Sequence, residues 1–168
     1  MRKASSLLVT SAAVAATAAV GRAGTDVRSA WYRRLDKPSW QPPGPTFGIA
    51  WTILYVLLAS AGARALDRAE QSPDPAERRR YLRSYTVNLV LNAGWSWTFF
   101  RAKRPPLAVA EVVLLLASTL ELTRRTWRLD RAAGTALLPY AGWTSFATAL
   151  SAEIARRNRP RASSQRSA

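Results

Sequence analysis

The sequence predicts an all-α protein, an integral membrane bundle of five transmembrane helices, and three observations support this expectation. Charged residues cluster in short runs and leave long uncharged stretches between them, which an amphipathic soluble fold does not produce. Most stretches are close to the roughly 20 residues that cross a bilayer. Hydrophobic residues make up 48% of the 168 residues and include seven tryptophans, a residue type that membrane interfaces favour.

The first hydrophobic block, residues 4–20, is rich in alanine and has two interpretations. It fits a first membrane helix that extends over residues 4–24. It equally fits a secretory leader, because the basic start Met1-Arg2-Lys3 precedes an apolar centre and small residues follow near positions 16–18. The residues of this block alone leave both interpretations open.

Four further blocks predict the remaining spans. Residues 39–63, 84–100 and 132–152 carry no charge, and residues 105–123 are interrupted only by Glu111 and Glu121. We therefore expect helices at roughly residues 46–66, 81–101, 105–126 and 131–156. The pair Pro105-Pro106 follows a basic turn, and prolines suit the first turn of a helix.

The segments between the blocks predict loops around a single domain of residues 1–158. Residues 25–45 are rich in proline and predict a long loop between the first two spans. Residues 67–80 combine proline with charge and predict a second loop. Residues 159–168 are polar and basic, which is typical of a disordered tail.

Composition excludes several classes of function. The formal charge of +15 would suggest a nucleic-acid partner in a soluble protein, but five spans divide the basic residues almost evenly between the two membrane faces. Such a division fits lipid headgroups, so we expect membrane lipid and no nucleic acid as partners. Histidine and cysteine are absent, which removes the usual general base, metal ligands and axial haem ligands. We therefore expect no metal site and no conventional hydrolysis.

Three separated motifs resemble one known membrane family. They are WYRRLDKPSWQPP at residues 31–43 with FGIAWTILY at 47–55, LNAGWSWTFF at 91–100, and LLPYAGW at 137–143. In this order they resemble the TspO/MBR family of tryptophan-rich sensory proteins and translocator proteins, over roughly residues 21–158. The resemblance favours a membrane helix over a leader for the first block. It also implies a five-helix bundle, a homodimer, and a cavity capped by the loop 25–45.

The resemblance implies a tetrapyrrole, a porphyrin or haem, as the ligand, with no cofactor required. Phe47, Trp51 and Tyr55 are spaced by four residues and share one helix face, so they form one wall of the expected site. The full set of expected ligand-binding residues is Trp31, Trp40, Phe47, Trp51, Tyr55, Asn92, Trp95, Ala110, Leu114, Trp143, Phe146 and Ala147.

Three loop cations, Arg33, Arg34 and Lys37, are expected to meet the propionates of such a ligand. Contact with lipid headgroups is the alternative for these residues. Without histidine or cysteine the chain has no strong axial ligand apart from tyrosine, so metal-free porphyrin is expected to bind as well as haem.

Polar residues inside the blocks need partners. Asn88 and Asn92 are expected to bond to neighbouring helices or to a ligand, because an unpaired amide is costly in a membrane. Glu111 is expected to face the bundle, and Glu121 to pair with the arginines at 124 and 125. Trp97 stands where family members commonly have proline, so the helix break of the family is expected to be missing.

Three functions follow, of different classes. The first is a tetrapyrrole-binding sensor or carrier, multi-pass in a bacterial cell membrane. The second is light-dependent porphyrin degradation, with Trp51 and Trp143 as the catalytic residues. The third is a small-molecule transporter or a regulatory partner of other membrane proteins, which the lack of an inverted internal repeat does little to support.

Overall fold

The computed structural model describes residues 2–159, with side chains from residue 5 onward, and helices joined by loops make up these residues. Five helices contain 20 residues or more: α1 (Arg2–Gly24), α3 (Gly44–Glu70), α4 (Glu77–Ser96), α5 (Pro105–Leu129) and α7 (Leu138–Arg157). Two helices are short: α2 (Ala30–Arg34) and α6 (Arg131–Ala136). The described residues contain no strand, which confirms the all-α class. Residues 160–168 of the expected tail lie outside the described residues.

Three of the long helices are long and apolar enough to cross a membrane, namely α1, α3 and α5. Helix α4 does not reach the same mean hydropathy, because its first turns carry the arginines at positions 78–80 and 83. Helix α7 also falls short, with several Ser, Thr and Gly residues and three charges near its end. Length and composition therefore establish three candidate spans among the described residues rather than the predicted five.

The expected last span, residues 131–156, is corrected to two helices. Helix α6 ends at Ala136, and the N–H of Leu137 bonds to the carbonyl of Gly134 at 3.1 Å. Pro139 then occupies the first turn of α7 and offers no N–H to continue a preceding helix. The proline therefore separates the short α6 from the long α7.

The presence of Trp97 in place of proline predicts that helix α4 continues without a break. The structure instead shows an interruption at this residue. Residues Trp97–Arg101 form a π-helical turn, in which the N–H of Ala102 bonds to the carbonyl of Trp97 at 2.9 Å. The expectation of a missing break is therefore wrong, because an i→i−5 turn interrupts the α-helix without proline. The turn joins α4 to α1: Trp97 Nε1 donates to the carbonyl of Val20 at 3.0 Å, and Arg101 donates to that of Ala23 at 3.0 Å.

Small residues allow α3 to pack closely against its neighbours. Gly62 faces Tyr85 of α4, and a Cβ at position 62 would lie 2.6 Å from the phenol ring. The hydroxyl of Tyr85 donates to the carbonyl of Leu58 at 3.1 Å, which joins α4 to α3. Between α1 and α3, the hydroxyl of Thr10 donates to the carbonyl of Ala59 at 2.9 Å. This packing places the wider space of the bundle at the other end of α3, beneath the loop that follows α1.

Asp130 joins α3 to the start of α6, and its environment predicts a dependence of stability on pH. Its carboxylate accepts the N–H of Ala133 and a hydrogen bond from Arg64, each at 2.9 Å, and these contacts lower its pKa below the ordinary 3.8. A lowered pKa contributes stability above pH 3.8 that is lost as the pH falls through the lower folded-state value. Asp130→Asn should therefore flatten the acid limb of the stability profile.

The measurement is the thermal midpoint in detergent at pH 6 and at pH 2.5. We expect the wild type to lose about 2–4 °C more than Asp130→Asn over this interval. Asp67→Asn is the control, because Asp67 borders the same surface cleft as Asp130 and Arg64 but forms no ion pair among the described residues. If the wild type and Asp130→Asn lose the same number of degrees between pH 6 and pH 2.5, Asp130 is not the source of the pH dependence.

Candidate functional site: an aromatic cavity beneath the loop after α1

A cavity of about 380 Å³ lies among α1, α3, α4, α5 and α7, beneath the loop of residues 25–43. Its lining is mainly apolar and includes small residues of α1 and aliphatic residues of α5 and α7. Eight of the lining side chains are aromatic: Tyr32, Phe47, Trp51, Tyr55, Trp95, Phe99, Phe100 and Trp143. These eight rings are half of the sixteen aromatic residues of the sequence.

The structure brings seven of the expected ligand-binding residues together on the cavity wall: Phe47, Trp51, Tyr55, Asn92, Trp95, Trp143 and Ala147. Trp51 lies at the centre of the aromatic wall between α3 and α7. Its ring centroid is 5.3 Å from that of Tyr55 and 6.5 Å from that of Trp143, and the indoles of Trp51 and Trp143 meet edge to face. Phe47 meets Trp143 in the same manner at 5.7 Å. The four-residue spacing on α3 places all three of its aromatic rings on this face.

Three other expected residues lie behind this wall. Trp31 packs edge-on against Phe99 at 5.6 Å, and Trp40 packs edge-on against Phe146 at 5.9 Å. Phe146 in turn lies against Trp143, with ring centroids 5.3 Å apart. These rings therefore support lining residues and close the space beneath the loop, and none of the three borders the cavity itself.

The placement of Ala110 and Leu114 is corrected. Both are exposed on the outer face of α5, and Leu114 has 58% of its surface accessible. The inner face of the helix instead presents Val112 and Leu115 to the cavity. The reason is helical phase, since two residues correspond to about 200° of rotation around the axis.

The loop cations do not gather at the cavity as expected. Arg33 and Arg34 are exposed on α2 and border no part of the cavity, while Lys37 holds its Nζ 4.7 Å from the centre of the Tyr32 ring and 3.3 Å from the carbonyl of Leu35. The cation that borders the cavity is Arg22, an exposed residue in the last turn of α1. The positive charge at the rim of the cavity therefore comes from α1, a helix that the sequence motifs did not indicate as part of the site.

A chain of hydrogen bonds runs from the cavity into the core. Tyr55 donates to Asn92 Oδ1 at 2.9 Å, and Asn92 Nδ2 donates to the hydroxyl of Tyr140 at 2.9 Å. Tyr140 donates to Asn88 Oδ1 at 2.9 Å, and Asn88 Nδ2 donates to Thr119 at 2.9 Å. The prediction that both asparagines find partners on other helices is confirmed. The chain fixes the polar corner of the cavity, formed by Tyr55 and Asn92, to α5 and α7.

The two acidic residues of α5 have different surroundings. Glu121 accepts hydrogen bonds from Arg124 at 2.7 Å and Arg125 at 2.6 Å, so the predicted pairing is confirmed. Glu111 is half-buried, and its Oε1 packs against the backbone of Gly94 on α4. Glu111 therefore lies between two helices, and the cavity lining does not include it.

The loop over the cavity is attached to the end of α7 through Asn158. The side-chain oxygen of Asn158 accepts the N–H of Asp36 at 3.0 Å, and its nitrogen donates to the carbonyl of the same residue at 2.9 Å. The nitrogen also donates to the carbonyl of Ile154 at 2.8 Å, in the last turn of α7. Arg157 adds an ion pair with the carboxylate of Asp36 at 3.5 Å. These contacts hold the loop closed above the aromatic rings.

Sequence reasoning missed the contribution of α1, which supplies Ala18, Gly21 and Arg22 to the lining. Small side chains on an alanine-rich helix give no signal of a binding wall. Phe99 shares a helix face with Trp95 in the sequence pattern but was left out of the expected ligand-binding set, and Phe100 was missed; both are buried beside the cavity. The signal for Phe99 is its spacing of four residues from Trp95, which puts both rings on one helix face.

A helical bundle with long apolar helices and an aromatic cavity beneath a closing loop places the chain in the class of integral membrane proteins. The model of the TspO/MBR family matches residues 7–157, so the chain belongs to this family. A tryptophan-rich protein TspO of Chlorobaculum tepidum is 33% identical over 83% of this chain and 89% of its own length. A tryptophan-rich sensory protein of Cereibacter sphaeroides is 34% identical, covering 76% and 77% respectively. The human translocator protein is 29% identical, covering 71% and 70%.

Proposed function

We propose that this protein is a membrane sensor or carrier that binds a tetrapyrrole, a porphyrin or haem, in the aromatic cavity. The observation that carries the proposal is the convergence of eight aromatic side chains on one mainly apolar space. A tetrapyrrole macrocycle has flat apolar faces, and aromatic side chains pack well against such faces. The indoles of Trp51 and Trp143 meet at a right angle, which offers a ring face and a ring edge to a flat ligand.

The volume of the cavity is that of a small-molecule site, and the charge at its rim suits a ligand with acidic groups. A volume of about 380 Å³ lies within the range of about 300–1,000 Å³ of small-molecule sites. Arg22 at the rim offers a charge-assisted hydrogen bond to a propionate that extends toward water. In this proposal Arg22 takes the role first expected of Arg33 and Arg34, whose side chains border no part of the cavity.

Binding in this proposal does not depend on a metal. The chain contains no histidine or cysteine. Both lining phenols are already engaged, since Tyr55 donates to Asn92 and the hydroxyl of Tyr32 accepts from Gln41. Affinity then comes from contact with the macrocycle and its carboxyl groups, so haem and metal-free porphyrin bind with similar strength.

The proposal includes five membrane crossings by the five long helices, in the cell membrane of a bacterium, and a homodimer. Helices α4 and α7 contain 20 residues each, which corresponds to about 30 Å and is enough to cross the hydrocarbon core. The relatives from Chlorobaculum and Cereibacter support a bacterial membrane. The only support for the homodimer is the resemblance to the family.

The test is quenching of tryptophan fluorescence during titration with metal-free protoporphyrin in detergent. We expect strong quenching that saturates at about one ligand per chain, because two of the lining rings are the paired indoles of Trp51 and Trp143. A parallel titration with haem should give an affinity within about threefold. Quenching that rises linearly without saturation, as ligand partitions into the micelle, would count against a defined site.

Light-dependent degradation of the bound porphyrin is a second candidate, and one observation favours it. Trp51 and Trp143 both border the cavity, with ring centroids 6.5 Å apart, so both indoles would lie against an excited macrocycle. Illumination of the saturated complex separates the candidates. Product formation that Trp51→Phe or Trp143→Phe abolishes would favour degradation, whereas binding without turnover would leave the sensor or carrier.

A further inference from the structure

Two polar atoms of cavity-lining residues are buried without a hydrogen-bond partner. They are the indole nitrogen Nε1 of Trp95 and the amide oxygen Oε1 of Gln41, and no other side-chain atom of the described residues shares this condition. Folded proteins rarely leave buried polar atoms unpaired, because each unpaired atom costs stability. Since both residues border the cavity, a bound molecule is the partner within reach.

The unpaired donor of Trp95 is held in place by aromatic packing. The indole stacks on Phe99 with centroids 5.3 Å apart and an angle of 17° between the planes, and it meets Phe100 edge-on at 6.2 Å. An indole N–H donates and never accepts, so only an acceptor on the ligand satisfies it. The π-helical turn begins two residues later and keeps both phenylalanines beside this ring.

The unpaired group of Gln41 lies at the loop side of the same cavity. Its nitrogen Nε2 donates to the hydroxyl of Tyr32 at 3.4 Å, and the ring of Tyr32 is held against Phe100 with centroids 5.2 Å apart. If the amide is rotated by 180°, the oxygen lies at the Tyr32 hydroxyl and the nitrogen becomes the atom without a hydrogen-bond partner, because Tyr32 reaches only one of the two atoms. One end of Gln41 therefore lacks a partner in either orientation.

We propose that Trp95 and Gln41 form a polar subsite for one un-ionised carboxyl group of the tetrapyrrole, and this inference rests on the proposed function. The N–H of Trp95 donates to a carboxyl carbonyl oxygen, and Gln41 Oε1 accepts the carboxyl O–H. The single cation that borders the cavity, Arg22, is exposed at the rim, so the interior offers no charge to stabilise a carboxylate. Tyr55 and Asn92 already form a hydrogen bond with each other, so their polar atoms do not depend on a ligand for a partner.

The experiment compares three metal-free porphyrins by fluorescence titration in detergent. Protoporphyrin has free carboxyl groups, its dimethyl ester keeps the carbonyl acceptors and loses the O–H donors, and a porphyrin with alkyl side chains only has neither. Trp95→Phe should weaken the acid and the ester about tenfold more than it weakens the alkyl porphyrin, because all three ligands lose part of the ring contact and only the first two lose the N–H. Gln41→Met should weaken the acid about tenfold and spare the other two ligands.

Trp127→Phe is the matched control, since it removes an indole N–H from a half-exposed ring on α5 that does not border the cavity. The alkyl porphyrin reports on folding of each variant, because it needs the chamber and neither polar atom. If Trp95→Phe weakens all three ligands equally, the indole contributes packing alone and the subsite is disproved. Equal effects of Gln41→Met on acid and ester would disprove the role of Gln41. If the wild type saturates with none of the three, the proposed function itself fails.

Discussion

Replacement of Gly134 by alanine is expected to lower the free energy of unfolding by about 2 kcal/mol, the largest single effect on stability that the helix packing predicts. A Cβ at position 134 would lie 2.5 Å from Cα and 2.7 Å from the backbone nitrogen of Trp127, in the last turn of α5. Backbone atoms of a packed helix cannot move aside as a side-chain tip can. The clash costs about 3 kcal/mol, and the better helix propensity of alanine returns about 1 kcal/mol.

Gly142→Ala is the matched control for this prediction. Gly142 also lies within a helix, but a Cβ there meets no atom within 4 Å. This variant should gain about 0.5–1 kcal/mol from propensity alone. The measurement is unfolding by sodium dodecyl sulfate in mixed micelles, followed by circular dichroism. If the two alanine variants unfold at the same detergent fraction, the close approach of α6 to α5 is not as the structure has it.

Replacement of Trp51 by alanine is expected to weaken porphyrin binding about thirtyfold, the largest effect on the site. Trp51 borders the cavity and contacts three other rings, those of Tyr55, Tyr140 and Trp143. Its removal deletes a wall of the chamber and loosens the rings beside it. Truncation of a central tryptophan in a binding site typically costs about 2 kcal/mol or more, which corresponds to the stated loss of affinity.

Ile53→Ala is the control on the same helix. Ile53 lies two residues from Trp51 but on the outer face of α3, with 55% of its surface exposed. Its truncation should change the affinity less than twofold in the same fluorescence titration. An affinity of Trp51→Ala within threefold of the wild type would place the porphyrin elsewhere on the protein.

Periodicity was sufficient for α3 and insufficient for α5, and the difference has a physical cause. On α3 the aromatic residues recur every fourth position, so the cavity-facing side is distinct from the lipid-facing side. On α5 leucine and valine occur on every side, because the surroundings of a membrane helix are as apolar as its interior contacts. The sequence pattern therefore does not indicate which side of α5 faces the cavity, and Ala110 and Leu114 were assigned to the wrong face.

The bends in the chain were predictable only where proline causes them. Pro139 explains why α6 and α7 are separate helices, and the residue type alone indicates a break there. The π-helical turn at Trp97–Arg101 has no such residue and depends on tertiary contacts, in which Trp97 and Arg101 bond to carbonyls of α1. Contacts between distant segments of this kind are not visible in a local pattern.

The attachment of the loop to α7 recognises a peptide unit and not a particular amino acid. Asn158 pairs with the N–H and the carbonyl of residue 36, much as a neighbouring β-strand would, while the aspartate side chain adds a longer and exposed ion pair. Almost any residue at position 36 preserves this pairing, and proline is the exception because it has no N–H. The residue type at position 36 is therefore free to diverge while this attachment of the loop is retained.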